Sequence, residues 1–197
     1  MSRAGLGPAS VTEAGALLVD ELGADQLSMG LLAERVGVKT PSLYKHVDNL
    51  ADLTHRIAVL AATELGDCVR DVAQGRAGRD ALIAVVRAMR TYVKGHPGRY
   101  RVMNAVTPSG PEDPLVVASN RLLSSLSAVL RGYRISSTEE IHALRMLRSM
   151  LHGFVTLEIE EGFRLDTDVN ESFDWMIDAI DQTLRSRESD DTPGYRD

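Results

Sequence analysis

A chain of 197 residues that is 44% apolar can bury a substantial core in one or two domains, while a net charge of −6 excludes a wholesale nucleic-acid coat. No apolar run approaches the roughly eighteen residues of a membrane-spanning helix, and the first residues lack the apolar segment of a signal peptide. The single Cys68 excludes an internal disulfide and suits a reducing compartment, so a cytoplasmic protein is expected.

Residues 1–8 read as a mobile start, with Arg3 a cation that could reach a minor groove. Beyond them, Ser10 is suited to an N-cap, and Val11, Ala14, Leu18 and Leu22 fall on one face of a helix over 10–22, ended by Gly23. Met29, Leu32, Ala33 and Val36 recur at i, i+3, i+4 and i+7, one apolar face of a short helix. Gly37 follows, where a sharp turn needs φ > 0, and Val38 can tuck beneath it. Thr40-Pro41 then reopens a helix, with the hydroxyl at the N-cap and the ring at the first helical position. Leu43 and Val47, four apart, face inward and leave Lys39, Thr40, Ser42, Tyr44, Lys45 and His46 on or near the outer side.

Two short helices joined by a glycine turn, the second polar and basic outside, form a helix-turn-helix. Lysines, hydroxyls and the backbone N–H groups of a helix start suit phosphate contacts, and Tyr44 can pack on the sugar-phosphate backbone or a thymine methyl. An αα-hairpin with a solvated charged face would show the same periodicity. Two features favour the nucleic-acid reading: the chain has three lysines against nineteen arginines, yet two of the three are Lys39 and Lys45, and a solvated face has no need of a tyrosine. Residues 1–56 hold five Lys/Arg and seven Asp/Glu, so binding would rest on a local patch with a modest salt dependence.

The stretch from Leu27-Ser28 through Leu32-Ala33-Glu34-Arg35-Val36-Gly37-Val38 and Leu43-Tyr44-Lys45-His46-Val47 to Leu53 resembles the N-terminal domain of the TetR family of transcriptional regulators. The shared pattern is an apolar helix, Ala before a Gly-Val turn, then Leu-Tyr-x-His ahead of an apolar residue. The resemblance implies a DNA-binding domain over 1–48, with Ser28, Lys39, Thr40, Pro41, Ser42, Tyr44, Lys45 and His46 as its contact set. One departure stands out. Family members often carry a lysine at the start of the fourth helix, where this chain reads Asp48-Asn49-Leu50-Ala51-Asp52.

Asn49 with Asp52 predicts a cap for a long helix over 50–73, striped by Leu53, Ile57, Leu60, Leu65, Cys68 and Val72. Further helices follow from Asp80 to the Gly95-His96-Pro97-Gly98 stop, over 99–106, and over 115–131 after a loop with three prolines. Ser136 with Glu139 opens the next by a capping box, running to about 161, and Asp168 with Glu171 opens the last. No stretch alternates as a strand does. The expected fold is therefore all-α, about nine helices, with a helix-turn-helix domain over 1–48, a second helical domain over 49–186 and a disordered tail over 187–197.

His96-Pro97-Gly98-Arg99-Tyr100 and His152-Gly153-Phe154 with Leu157-Glu158 and Gly162-Phe163 resemble one subgroup of TetR-family C-terminal domains. That resemblance implies a ligand-sensing and dimerising domain whose last two long helices pair with their copies in a four-helix bundle. Gly153 inside a helix costs about 1 kcal/mol relative to Ala, which close packing would explain. Leu151, Val155, Phe173, Ile177, Ile180 and Leu184 offer an apolar stripe for a dimer interface or for internal packing. Met89, Tyr92, Met103, Met146, Met150 and His152 are candidates for a largely apolar ligand pocket, although methionines at helical spacing also serve as plain core.

No metal, cofactor or enzymatic reading emerges. His96, His142 and His152 lack metal-ligand spacing, Ser124-Ser125 lacks a nucleophile elbow, and no Gly-rich loop leads into Lys-Ser/Thr. The function that fits is a homodimeric, ligand-responsive repressor that binds a pseudo-palindromic operator and is released by a small-molecule inducer. Its rival is a helical small-molecule-binding protein of the same fold with weak or lost DNA binding.

Overall fold

The computed structural model describes residues 6–187. Among the described residues there are nine α-helices and no strand: α1 (Pro8–Leu22), α2 (Met29–Val36), α3 (Thr40–Leu43), α4 (Leu50–Ala73), α5 (Gly78–Gly95), α6 (Pro97–Ala105), α7 (Pro114–Arg131), α8 (Ser137–Ile159) and α9 (Val169–Arg185), with a 3-10 turn at Ala24–Gln26. None of these helices is long and apolar enough to cross a membrane. Arg3 and the expected tail beyond Arg187 lie outside the described residues.

The helices divide into two compact units, one running up to Asp67 and taking in Gly95–Leu122, the other Cys68–Lys94 with the chain from Leu123 on. The first unit therefore holds α6 and the start of α7 as well as α1–α3 and most of α4. Its core sets Val11, Val19 and Leu32 with Leu43, Val47, Leu53, Ile57 and Val102, all at most 2% exposed. Each such aliphatic side chain contributes about 1.5–3 kcal/mol when removed from water.

Capping explains several helix ends, and some helices begin elsewhere than the sequence predicts. α1 starts at Pro8, because Gly7 takes the N-cap and Ser10, one turn in, accepts the Gly7 N–H at 3.0 Å. α3 has Lys39 at its N-cap, so Thr40 is already helical. α6 starts at Pro97, where the missing N–H costs nothing, and this draws Gly98 and Arg99 into its first turn. For α4 the predicted cap is present: Asn49 Oδ1 accepts the Asp52 N–H, and Asp52 Oδ2 accepts the Asp48 N–H, both at 2.9 Å.

In the second unit, Arg90 of α5 forms a two-pronged bond to Glu158 of α8 (2.8 and 2.6 Å), and its guanidinium lies 4.4 Å from the centre of the Phe173 ring of α9. Hydrogen bonds from Arg90 hold the Glu158 carboxyl below its ordinary pKa. Tyr133 donates to Asp181 at 2.6 Å, and burial pushes the phenol well above its usual range. The stripe expected to face a partner is a correction. Leu151, Val155, Phe173, Ile177, Ile180 and Leu184 are all buried within the single chain, because the apolar faces of α8 and α9 turn into their own unit.

Candidate nucleic-acid interface

The turn between α2 and α3 is built by backbone chemistry. Gly37 adopts φ 72°, ψ 34°, the left-handed conformation that glycine takes without a Cβ penalty. Its N–H donates to Glu34 O and the Val38 N–H to Ala33 O, at 3.1 and 3.0 Å, closing the helix end. The chain reverses there and enters α3. That helix is a single turn, prolonged by the bonds from His46 N and Val47 N to Leu43 O. Leu43 and Val47 are buried beneath it as the spacing predicts.

With those two anchors inside, Lys39, Pro41, Tyr44 and Lys45 are exposed, and Thr40, Ser42 and His46 are half-buried. Tyr44 keeps 52% of its surface. Ser28 is half-buried at the start of α2, where its Oγ caps the helix by accepting the Leu31 N–H at 3.2 Å. Residues 39–46, apart from the buried Leu43, thus form one outward-facing segment, with Ser28 at the other end of the helix-turn-helix.

One ion pair and one hydrogen bond from an arginine to a backbone carbonyl hold this segment from behind. Before the turn, Arg35 of α2 makes a two-pronged bond to Glu21 of α1, which lowers the Glu21 pKa. After it, Arg56 of α4 donates to the His46 carbonyl at 3.1 Å while its Nε donates to Asp52 at 2.9 Å. The stretch that replaces the family's lysine is therefore a capping and anchoring device: Asp52 closes α4, and Arg56 bonded to it lowers its pKa.

A third tie involves α6. Arg99 is 2% exposed, and its guanidinium meets three carboxylates: Asp20 at 2.7 Å, Glu64 at 3.0 Å and Glu13 at 3.4 Å. Burial works against its charge, but Glu64 and Asp20 more than offset that, and its pKa stands above the ordinary arginine value. Four of the seven acidic residues in the first 56, namely Glu13, Asp20, Glu21 and Asp52, are thus engaged by arginines. This eases the conflict between an acidic balance and a phosphate-binding surface. A signal for Arg99's partners does exist in the sequence, since Glu13 and Asp20 lie seven apart on the α1 face that carries the buried Ala16.

The expected ligand residues are not gathered in one unit. Met103 packs at the edge of the first unit's core, whereas Met89, Tyr92, Met146 and Met150 belong to the second unit. His152 is exposed on α8. Sequence spacing could not separate these, because amphipathic helices place methionines inward in either unit.

Comparison with known proteins agrees with this geometry. Residues 82–180 match the family described as "Tetracyclin repressor-like, C-terminal domain". The HTH-type transcriptional regulator Rv0681 of Mycobacterium tuberculosis is 34% identical over 169 residues, covering 85% of this chain and 77% of that protein. Among solved structures, a TetR variant from Acinetobacter baumannii AYE in complex with minocycline superposes with a TM-score of 0.71 at 21% identity, covering 94% of this chain and 99% of that one. BioQ with its double-stranded DNA operator superposes at 0.63 with 20% identity, covering 92% and 99%.

Proposed function

The chain belongs to the TetR family of transcriptional regulators, and on that premise we propose that it is a ligand-responsive repressor. It binds a pseudo-palindromic operator as a homodimer through Lys39, Thr40, Pro41, Ser42, Tyr44, Lys45 and His46, with Ser28 contacting the flanking phosphate, and a small-molecule inducer releases it. The observation that carries this reading is the exposed Lys39–His46 segment, anchored by the buried Leu43 and Val47 and tied at its far end by Arg56. That a similar fold is seen with a DNA operator in one relative and with minocycline in another supports both halves of the reading.

A dimer supplies the two reading heads that a symmetric operator requires. Because the earlier stripe is buried, the surface for it is the outer face of α8 and α9. Trp175 is 74% exposed there, Ile141, Leu157 and Ile159 are exposed as well, and a Cβ on Gly153 would meet nothing within 4 Å in its own chain. That arrangement leaves room beside Gly153 for a partner helix. Inducer binding must favour, through differential affinity, a dimer whose reading heads are wrongly spaced.

The experiment is selection of bound duplexes from genomic fragments of the source organism, at low and then moderate salt. The expected result is a pseudo-palindrome with half-sites about one helical turn apart. Recovery of no duplex even at low salt would establish the rival, a small-molecule-binding protein that has kept the fold without DNA binding.

A further inference from the structure

A cleft of about 700 Å³ opens in the first unit between the start of α1 and α4, floored by Pro8, Ala9, Val59, Leu60 and Pro114. Its volume lies within the range of small-molecule sites. The polar groups on its walls are unequal. Ser10, Thr12 and Thr63 spend their hydroxyl protons on Gly7 O, Pro8 O and Val59 O, at 3.0, 3.0 and 2.8 Å. Glu13 is drawn off by Arg99. His55 and Arg56 remain, adjacent on α4.

His55 is oriented for recognition. Its Nε2 lies 2.8 Å from Asp113 Oδ1, and Asp113 is itself fixed by the Ser109 N–H and hydroxyl and the Leu115 N–H, at 2.8–2.9 Å. With Nε2 engaged, Nδ1 is the ring nitrogen left for a ligand. Arg56 uses Nε on Asp52 and Nη1 on the His46 carbonyl, which leaves the donors of Nη2. An imidazole nitrogen and guanidinium donors on two residues that line the same cleft suit a carboxylic acid. One carboxyl oxygen accepts from Arg56, and the other shares a single proton with Nδ1, whichever of the two holds it.

We propose that this cleft binds a small amphiphilic carboxylate, its apolar body along Pro8, Val59, Leu60 and Pro114 and its carboxyl group between His55 and Arg56. The site lies in the unit that carries the helix-turn-helix. It also shares Arg56 with the tie to the His46 carbonyl, so a carboxylate that turns the guanidinium into the cleft to take both Nη2 donors weakens the Nη1 bond to the end of the recognition segment. This last consequence rests on the DNA-binding reading; occupancy of the cleft does not.

The test uses the full chain with decanoate as probe, followed by calorimetry and by NMR of the histidine rings. Decanoate is expected to bind with a dissociation constant below about 1 mM, with decanol and decylamine at least tenfold weaker, and to shift the His55 resonances while leaving those of His142 and His152 in place. Thr63→Trp and, separately, Ala9→Trp fill the cleft from opposite walls. Each is expected to weaken binding at least tenfold with an unchanged melting temperature.

Equal affinity for decanol, an unshifted His55, or full binding in whichever filled variant folds would overturn the proposal. A tenfold gain on removing residues 1–5 would also overturn it, by making the start of the chain the occupant. At saturation decanoate is expected to weaken operator binding about tenfold. Binding with no such effect overturns the coupling to Arg56, whereas a protein that binds no duplex at all overturns the DNA reading and leaves the calorimetry intact.

Discussion

Arg99 donates to Asp20 twice, from its backbone N–H at 2.8 Å and from Nε at 2.7 Å, so one carboxylate of α1 holds both the first turn and the side chain of α6. Glu64 of α4 closes the far side of the same guanidinium. Removing the arginine would take a buried positive charge away from Asp20 and Glu64, both partly buried. Arg99→Ala is expected to cost about 3–5 kcal/mol in urea unfolding. Arg99→Lys should recover only part of this, because an ammonium cannot serve three carboxylates with a planar fork. A loss below about 1 kcal/mol in the alanine variant would mean the cluster is solvated and contributes little.

Gly98 sits where α6 meets the end of α1. A Cβ there would stand 1.8 Å from the Val19 carbonyl oxygen and 2.6 Å from the Asp20 nitrogen, both backbone atoms with no rotamer to yield. Gly98→Ala should therefore destabilise the fold by about 3 kcal/mol, read as a lowered denaturation midpoint. Gly153→Ala is the control: a Cβ there meets nothing in the same chain, so the isolated fold should tolerate it.

Asp113 accepts two backbone N–H bonds, and these, from Ser109 first and Leu115 next, hold its carboxyl far below the ordinary carboxylate range. A pKa lowered by folding contributes stability that is complete above the unfolded value of about 3.9 and is lost as pH falls toward the folded value. Asp113→Asn should lower stability at pH 7, read as a reduced denaturation midpoint. The gap between variant and parent should narrow as pH drops below about 4. A gap independent of pH in chemical unfolding would show that the ionised carboxylate is not what stabilises the loop before α7.

Tyr44 and Lys45 are exposed and neither fills the core, so Tyr44→Ala with Lys45→Ala should leave thermal stability nearly unchanged. Operator affinity should fall by at least a hundredfold, given about 1–3 kcal/mol for a specific contact. A gel-shift titration at fixed salt measures this, and unchanged affinity would remove α3 and its following turn from the interface.

Trp175 is the single tryptophan of the chain and stands 74% exposed on α9. If α8 and α9 form the dimer face, Trp175→Glu should yield a monomer in sedimentation at micromolar concentration. In the parent protein, tryptophan emission should shift to the blue as concentration rises through the dissociation constant, because the indole leaves water. A variant that remains dimeric would move the interface elsewhere.

The legible parts of the fold are those whose cause lies within one turn of chain. Gly37 after a four-point apolar stripe specifies a left-handed helix end, and Asn49 with Asp52 specifies the start of α4. The candidate recognition segment was legible for the same reason: Leu43 and Val47 are four apart, so burying both fixes which neighbours face out. Even here the N-cap falls at Lys39 and not Thr40, a one-residue difference that local propensity does not resolve.

By itself the sequence determined the helical class, the helix-turn-helix and the family resemblance, because periodicity, caps and turn glycines act over a few residues. Only the tertiary structure decided that α6 joins the first unit, that Arg99 finds Asp20 across 79 positions and Glu64 across 35, and that the stripes of α8 and α9 are covered from within. An amphipathic pattern states that a face must be covered but not by what. The partner is chosen by the path of the chain, and with it the identity of the surface left over.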